Sequence, residues 1–189
     1  MSTTTYPPVT PEEYLVRERA AEYKTEYHGG ELVAMTGASG AHLRIARATV
    51  LALGLQLEGG PCEMFFSDCM VNLAEDWFVY PDIVVACGGA DLRDNRLLMN
   101  PTLVVEVLSP STERKDRGEK GDAYRAVPTM REYLLLAQNR VRAELYRRQP
   151  DGRWECTVLQ SMDDVLTLAS IGCELRLADA YKYAFQPGQ

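Results

Sequence analysis

Long apolar runs are missing from this 189-residue chain. No unbroken stretch exceeds about six residues, far short of the roughly 20 that cross a bilayer as a helix. The opening residues, MSTTTYPPVTPEE, carry neither a basic n-region nor an apolar core, so they do not read as a secretory leader and the expected location is cytoplasmic. Histidine is scarce, with only His28 and His42, which argues against a histidine-rich transition-metal centre. Any bound metal should therefore take carboxylate ligands, as Mg²⁺, Mn²⁺ or Ca²⁺ do. The five cysteines (Cys62, Cys69, Cys87, Cys156, Cys173) are odd in number and include no Cys-x-x-Cys pair. That excludes a zinc ribbon and a fully paired disulfide framework. Cys87, at the end of an Ile-Val-Val-Ala run, is expected to pack as a buried free thiol. Positive charge is in deficit, 20 basic against 27 acidic side chains for a net −7, which excludes a simple nucleic-acid-coating protein.

What is present is close to an average soluble composition, with 46% hydrophobic and 25% charged residues, so disordered, collagenous and coiled-coil classes fall away. The length suits one domain with a substantial core, expected over residues 10–189 behind a tail at 1–9. The charge is uneven. Residues 113–148 hold ten Lys/Arg and six acids, a local +4 that leaves −11 for the rest, which allows a polyanion-facing surface.

Thr10-Pro11-Glu12-Glu13 reads as a capped helix start, with a short helix to about Arg19. Residues 24–27 and 31–35 flank Gly29-Gly30 as a hairpin. Leu43, Ala46, Val50, Leu53 and Leu57 recur at helical spacing, so residues 41–58 form an amphipathic helix ended by Gly59-Gly60-Pro61. Strands are expected at 63–66, 70–73, 83–87 and 102–108, the last two apolar enough to be central. A helix from Ser111 or Thr112 must stop near Val127, because Pro128 disfavours helical geometry just before it. With a strand at 132–137 this makes a β-α-β unit with a right-handed crossover. A hairpin follows over 141–146 and 154–159, and 173–177 is a last strand. The fold class is α/β or α+β, with a mixed central sheet flanked by helices.

Glu106 is the most informative residue. It interrupts Thr-Leu-Val-Val-Glu-Val-Leu, and alternation puts it on one face with Val104 and Leu108. A buried carboxylate there must be protonated, paired or metal-bound. An ion pair with an arginine is the plain structural alternative. Asp82 follows Pro81 at the mouth of the Ile83–Cys87 run; alone it reads as a turn residue, but beside Glu106 it would make a concave acidic site able to hold Mg²⁺. Lys120, on the helix after the Glu106 strand, can return over that strand's end, although an i,i+4 pair with Asp116 explains it equally. Glu26 is a fourth candidate against a surface reading. His42 reads as a helix-start residue rather than a metal ligand. Ser109 and Ser111 lack a His/Asp partner pattern, so a serine nucleophile is disfavoured.

These residues carry a resemblance. Glu31-Leu-Val, Tyr80-Pro-Asp-Ile-Val-Val, Leu103-Val-Val-Glu-Val-Leu-Ser-Pro-Ser-Thr112, Asp116-Arg-Gly-Glu-Lys120 with Tyr124, and Arg131-Glu-Tyr133 occur in order. Together they resemble the Uma-two family of restriction-endonuclease-like proteins, within the PD-(D/E)XK nuclease superfamily. The resemblance covers roughly residues 10–148 and implies a restriction-endonuclease-like core over about 22–148. It implies Mg²⁺ or Mn²⁺ held by Asp82, Glu106, the Val107 carbonyl and Glu26, with Lys120 as the catalytic lysine. It further implies a DNA substrate, phosphodiester hydrolysis and, for cutting both strands, a homodimer. Two positions depart from the pattern: Leu108 stands where the superfamily motif places lysine, and Ala137 where relatives often carry an acid. Leu108 and the acidic net charge favour two alternatives, a non-catalytic binding or assembly module on a nuclease fold and a hydrolase of small phosphorylated molecules.

Overall fold

The computed structural model describes residues 9–35 and 37–185. Residues 1–8 of the expected tail lie outside that range, while Val9 is held, its carbonyl accepting from the Tyr27 hydroxyl at 2.8 Å. Helix α1 (Pro11–Ala20) begins with the reciprocal Thr10–Glu13 capping box. Strands β1 (Thr25–His28) and β2 (Glu31–Ala34) pair as a hairpin turning on Gly29 and Gly30, both at positive φ (56° and 91°), which L side chains resist. Helix α2 (Gly40–Leu57), capped by Ser39, buries Ile45, Leu53 and Leu57 along one face. The chain continues through β3 (Cys62–Phe66), β4 (Met70–Ala74), β5 (Trp77–Val79), β6 (Ile83–Cys87), the short β7 (Leu92–Arg93) and β8 (Leu97–Leu98), and β9 (Leu103–Leu108). Then come α3 (Glu113–Arg117), α4 (Glu119–Ala126), β10 (Glu132–Ala137), β11 (Ala143–Arg148), β12 (Trp154–Leu159), β13 (Val165–Leu168), β14 (Cys173–Arg176) and α5 (Leu177–Ala180).

The central sheet runs β12-β11-β10-β9-β6-β3. It is mixed: β9 and β10 are parallel, joined through α3 and α4, and the other neighbours are antiparallel. The continuous apolar character of β6, β9 and β10 follows from burial on both faces. On one face Ile83, Val85, Val105 and Leu134 pack with α2, the β13–β14 hairpin and α5. On the other, Val84, Val104 and Leu135 meet Tyr124 of α4 and residues of β4 and β5. Those strands belong to a second six-stranded sheet, β2-β1-β5-β4-β8-β7. Its outer side packs Tyr27 and Phe78 under Tyr14 of α1. Among the described residues, no helix is long and apolar enough to cross a membrane.

Two expectations are corrected, and one feature is added. Cys87 is not a free thiol: β3 and β6 pair with Cys62 opposite Cys87, and the two form a disulfide. Cys69 and Cys173 are the buried free thiols. The helix expected to run unbroken to Val127 is split at Gly118, whose φ −98°, ψ −116° is not helical and where a Cβ would lie 3.0 Å from the Arg114 carbonyl oxygen. The second sheet draws on β5, β7 and β8, too short to stand out as periodic segments.

Candidate active site

Two neighbouring strand ends set the geometry. Ile83 pairs with Val105 across β6 and β9, which brings Asp82, just before β6, alongside Glu106. The Val107 amide donates to Asp82 Oδ2 at 2.7 Å, and the Asp82 amide points at Glu106 Oε2 at 3.4 Å. One oxygen of Asp82 is thus fixed by the neighbouring backbone.

Lys120 lies over these strands. Its Nζ is 2.9 Å from Glu106 Oε1, 2.9 Å from Glu26 Oε1 on β1, and 3.9 Å from Asp116 Oδ1. The i,i+4 contact with Asp116 therefore exists but is the longest of the three. Glu106 pairs with Lys120, and its Oε1 also accepts from the Tyr124 hydroxyl at 3.0 Å. Glu26 accepts weakly from the Tyr80 amide at 3.4 Å, and its second oxygen meets Lys115 at 3.7 Å. A close approach of α4 to the end of α3 permits this arrangement. At Gly121 an added Cβ would come within 2.5 Å of the Asp116 carbonyl oxygen and 3.3 Å of the Tyr133 ring.

The buried acids outnumber the cations. Burial raises Glu106 to about 8, opposed by Lys120 and reinforced by the charges of Asp116 and Asp82. Burial also raises Asp116, again against Lys120. For Lys120 burial alone favours the neutral amine, but Glu106, Glu26 and Asp116 outweigh it and hold the ammonium form. The Tyr124 hydroxyl is pushed well up by burial and by Glu106, so it is a hydrogen-bond donor at neutral pH.

His42 belongs to this group, which the sequence reading missed. It sits in the first turn of α2, where its amide donates to the Ser39 cap at 3.2 Å and Ser39 in turn donates to Gln138 at 2.6 Å, after β10. The ring reaches Asp82 Oδ1 through Nε2 at 2.8 Å. Burial would lower its pKa, but Asp82 and Asp116 outweigh burial and leave it above its ordinary 6.5. Only the helix-start half of its role was visible in sequence; no local signal gives the contact with a residue 40 positions away. Ser109 Oγ hydrogen-bonds the hydroxyls of Ser111 and Thr112.

The structure thus brings Glu26, Asp82, Glu106, Val107 and Lys120 to one place. Among the described residues no group of three or more His, Cys, Asp or Glu side chains is placed to hold a metal ion. The arrangement is an open one, with oxygen donors on two adjacent strands and a buried lysine opposite. Several cations of the basic stretch 113–148 are engaged by the protein itself: Arg117 and Arg142 clamp Glu144, Arg147 holds Glu132, and Arg148 caps carbonyls at the end of α4.

A family model described as "Uma2: Putative restriction endonuclease" matches residues 11–179. An uncharacterised protein of Synechocystis sp. is 36% identical over 178 residues, covering 94% of this chain and 93% of that protein. A second from the same organism is 36% identical over 154 residues, covering 80% of this chain and 87% of the other. A crystal structure from Anabaena variabilis, described as "a putative nuclease belonging to DUF820", superposes with a TM-score of 0.76. It covers 94% of this chain and 100% of that one at 20% identity, so that likeness is one of fold.

Proposed function

This chain belongs to the Uma2 family of restriction-endonuclease-like proteins, and we propose that it is a divalent-metal-dependent endonuclease hydrolysing phosphodiester bonds of DNA. The observation that carries the reading is the meeting of Glu26, Asp82, Glu106 and Lys120 from four separate elements, with Lys120 Nζ 2.9 Å from two of the carboxylates. Leu108 leaves β9 without the motif lysine, and Lys120 reaches the same strand from α4.

The donor set fits a hard divalent cation. Asp82 Oδ1, Glu106 Oε2 and the Val107 carbonyl are oxygen donors on neighbouring strands, and Mg²⁺ is ordinarily held by one or two carboxylates with water and substrate phosphate in the remaining positions. Glu106 is raised to about 8 chiefly by burial, against the opposing charge of Lys120, and a bound cation would favour its ionised form. When bound, the cation supplies Lewis-acid stabilisation and a more acidic water.

The chain's own residues do the rest. Tyr124 donates to Glu106 Oε1, which leaves Oε2 toward Asp82, and the Val107 amide fixes the Asp82 carboxylate. Lys120 is a compact cation suited to negative charge building on a phosphate oxygen. Glu26 and Asp116 hold it in place and in its charged form. Cutting both strands takes two such centres, which a two-fold homodimer provides.

Supercoiled plasmid incubated with Mg²⁺ or Mn²⁺ tests this. Nicking that requires the ion and is lost in Glu106→Gln and in Lys120→Met supports the reading. Cleavage that survives both substitutions, or no cleavage of DNA or RNA by folded protein, contradicts it. The second result would favour a binding module on the same fold.

A further inference from the structure

We propose, resting on the metal-centre reading above, that His42 is itself a ligand of that cation through Nε2. The centre then becomes a mixed nitrogen–oxygen site suited to Mn²⁺, not an all-oxygen site suited to Mg²⁺. The argument starts from Asp82. Its Oδ2 is fixed by the Val107 amide at 2.7 Å, so Oδ1 is the oxygen left for a ligand, and Oδ1 is the atom His42 Nε2 faces at 2.8 Å. Two ligands at right angles on an octahedral ion with bonds of about 2.1 Å stand roughly 3 Å apart. The imidazole nitrogen and the carboxylate oxygen already have that spacing.

The contact with Asp82 is what positions the ring. Its side chain is only 14% exposed, yet Nδ1 is buried with no hydrogen-bond partner. The ring is held by hydrogen bonding from the carboxylate side. Its backbone is fixed too: Ser39 caps α2 and is tied to Gln138 beyond β10. The start of α2 is thereby held beside the strands that carry Asp82 and Glu106. Imidazole nitrogen is a poor donor for Mg²⁺ and a better one for first-row transition ions, of which Mn²⁺ binds it least strongly, so this one residue shifts the preference away from Mg²⁺.

Pulsed electron paramagnetic resonance of the full-length protein loaded with Mn²⁺ reads the ligand directly. The expected result is a ¹⁴N coupling from a bound imidazole that becomes a ¹⁵N coupling when histidine is ¹⁵N-labelled, a change needing no substitution. It should persist in His28→Ala, since the chain's other histidine stacks on Trp77 with ring centroids 3.7 Å apart, and vanish in His42→Ala. In the same variant Mn²⁺ affinity should fall more than about ten-fold, with Mg²⁺ affinity changing much less. Mn²⁺ that binds in a Glu106-dependent way without nitrogen coupling overturns the role of His42 and leaves the metal centre standing. Absence of Mn²⁺ binding by the folded protein overturns both.

Discussion

Burial lifts the Glu106 carboxyl to about 8, against an ordinary value of 4.5 that the unfolded chain regains. Between those limits the folded state binds the extra proton, so the free energy of unfolding falls as pH rises. The contribution of Glu106 is fullest at acid pH and is lost toward about pH 8. Glu106→Gln keeps the shape and removes the titration; urea unfolding of the variant should change less between about pH 5 and about pH 8 than that of the parent. Lys120 has the opposite position. Removing it leaves Glu26, Glu106 and Asp116 without their shared cation, and Lys120→Met should cost about 3–5 kcal/mol. Adding Glu106→Gln to that variant should restore part of the loss, which a double-mutant cycle would quantify. At this scale the sequence was readable where a residue broke its local pattern. Glu106 stood out as a charge inside an apolar run and Asp82 by its place at a strand mouth. His42 broke no pattern, because its meaning depends on where the start of α2 lands against strands that come later in the chain.

Elements came through where periodicity was long. Helix α2 and strands β6, β9 and β10 were legible from their apolar spacing, and the parallel β9–β10 pair followed from the intervening helix. The break at Gly118 was not, since an isolated glycine in a helical pattern is usually tolerated. Two glycines in helices make opposite predictions. At Gly54 of α2 a Cβ would meet only the end of the Met64 side chain, at 3.2 Å, which can move. Gly54→Ala should therefore gain about 0.5–1 kcal/mol from helix propensity. At Gly121 of α4 the same change drives a Cβ to 2.5 Å from the Asp116 carbonyl oxygen. It should cost about 1–3 kcal/mol and loosen Lys120, its chain neighbour. Thermal denaturation of the two variants side by side checks the contrast.

For the whole molecule, long-range pairing was the least visible feature. No sequence rule assigns β5 to β1 or Cys62 to Cys87, because strand register is fixed by the assembled sheets. The disulfide closes a loop between residues 25 apart, so its reduction should lower stability by about 3 kcal/mol, measurable as a drop in the unfolding midpoint with dithiothreitol. Part of the positive charge of residues 113–148, legible as an asymmetry, is used in clamps on Glu144, Glu132 and the end of α4. The convergence of acids and Lys120 depends on both sheets, since Glu26 comes from one and Glu106 from the other. The most direct test of that convergence as a metal centre is calorimetric titration of Mn²⁺ into chelator-stripped protein and into Glu106→Gln. Saturable binding by the parent that is lost in the folded variant is the predicted result. Equal binding by both, or none by either, would mean that the buried carboxylates serve only to hold Lys120 and the fold together.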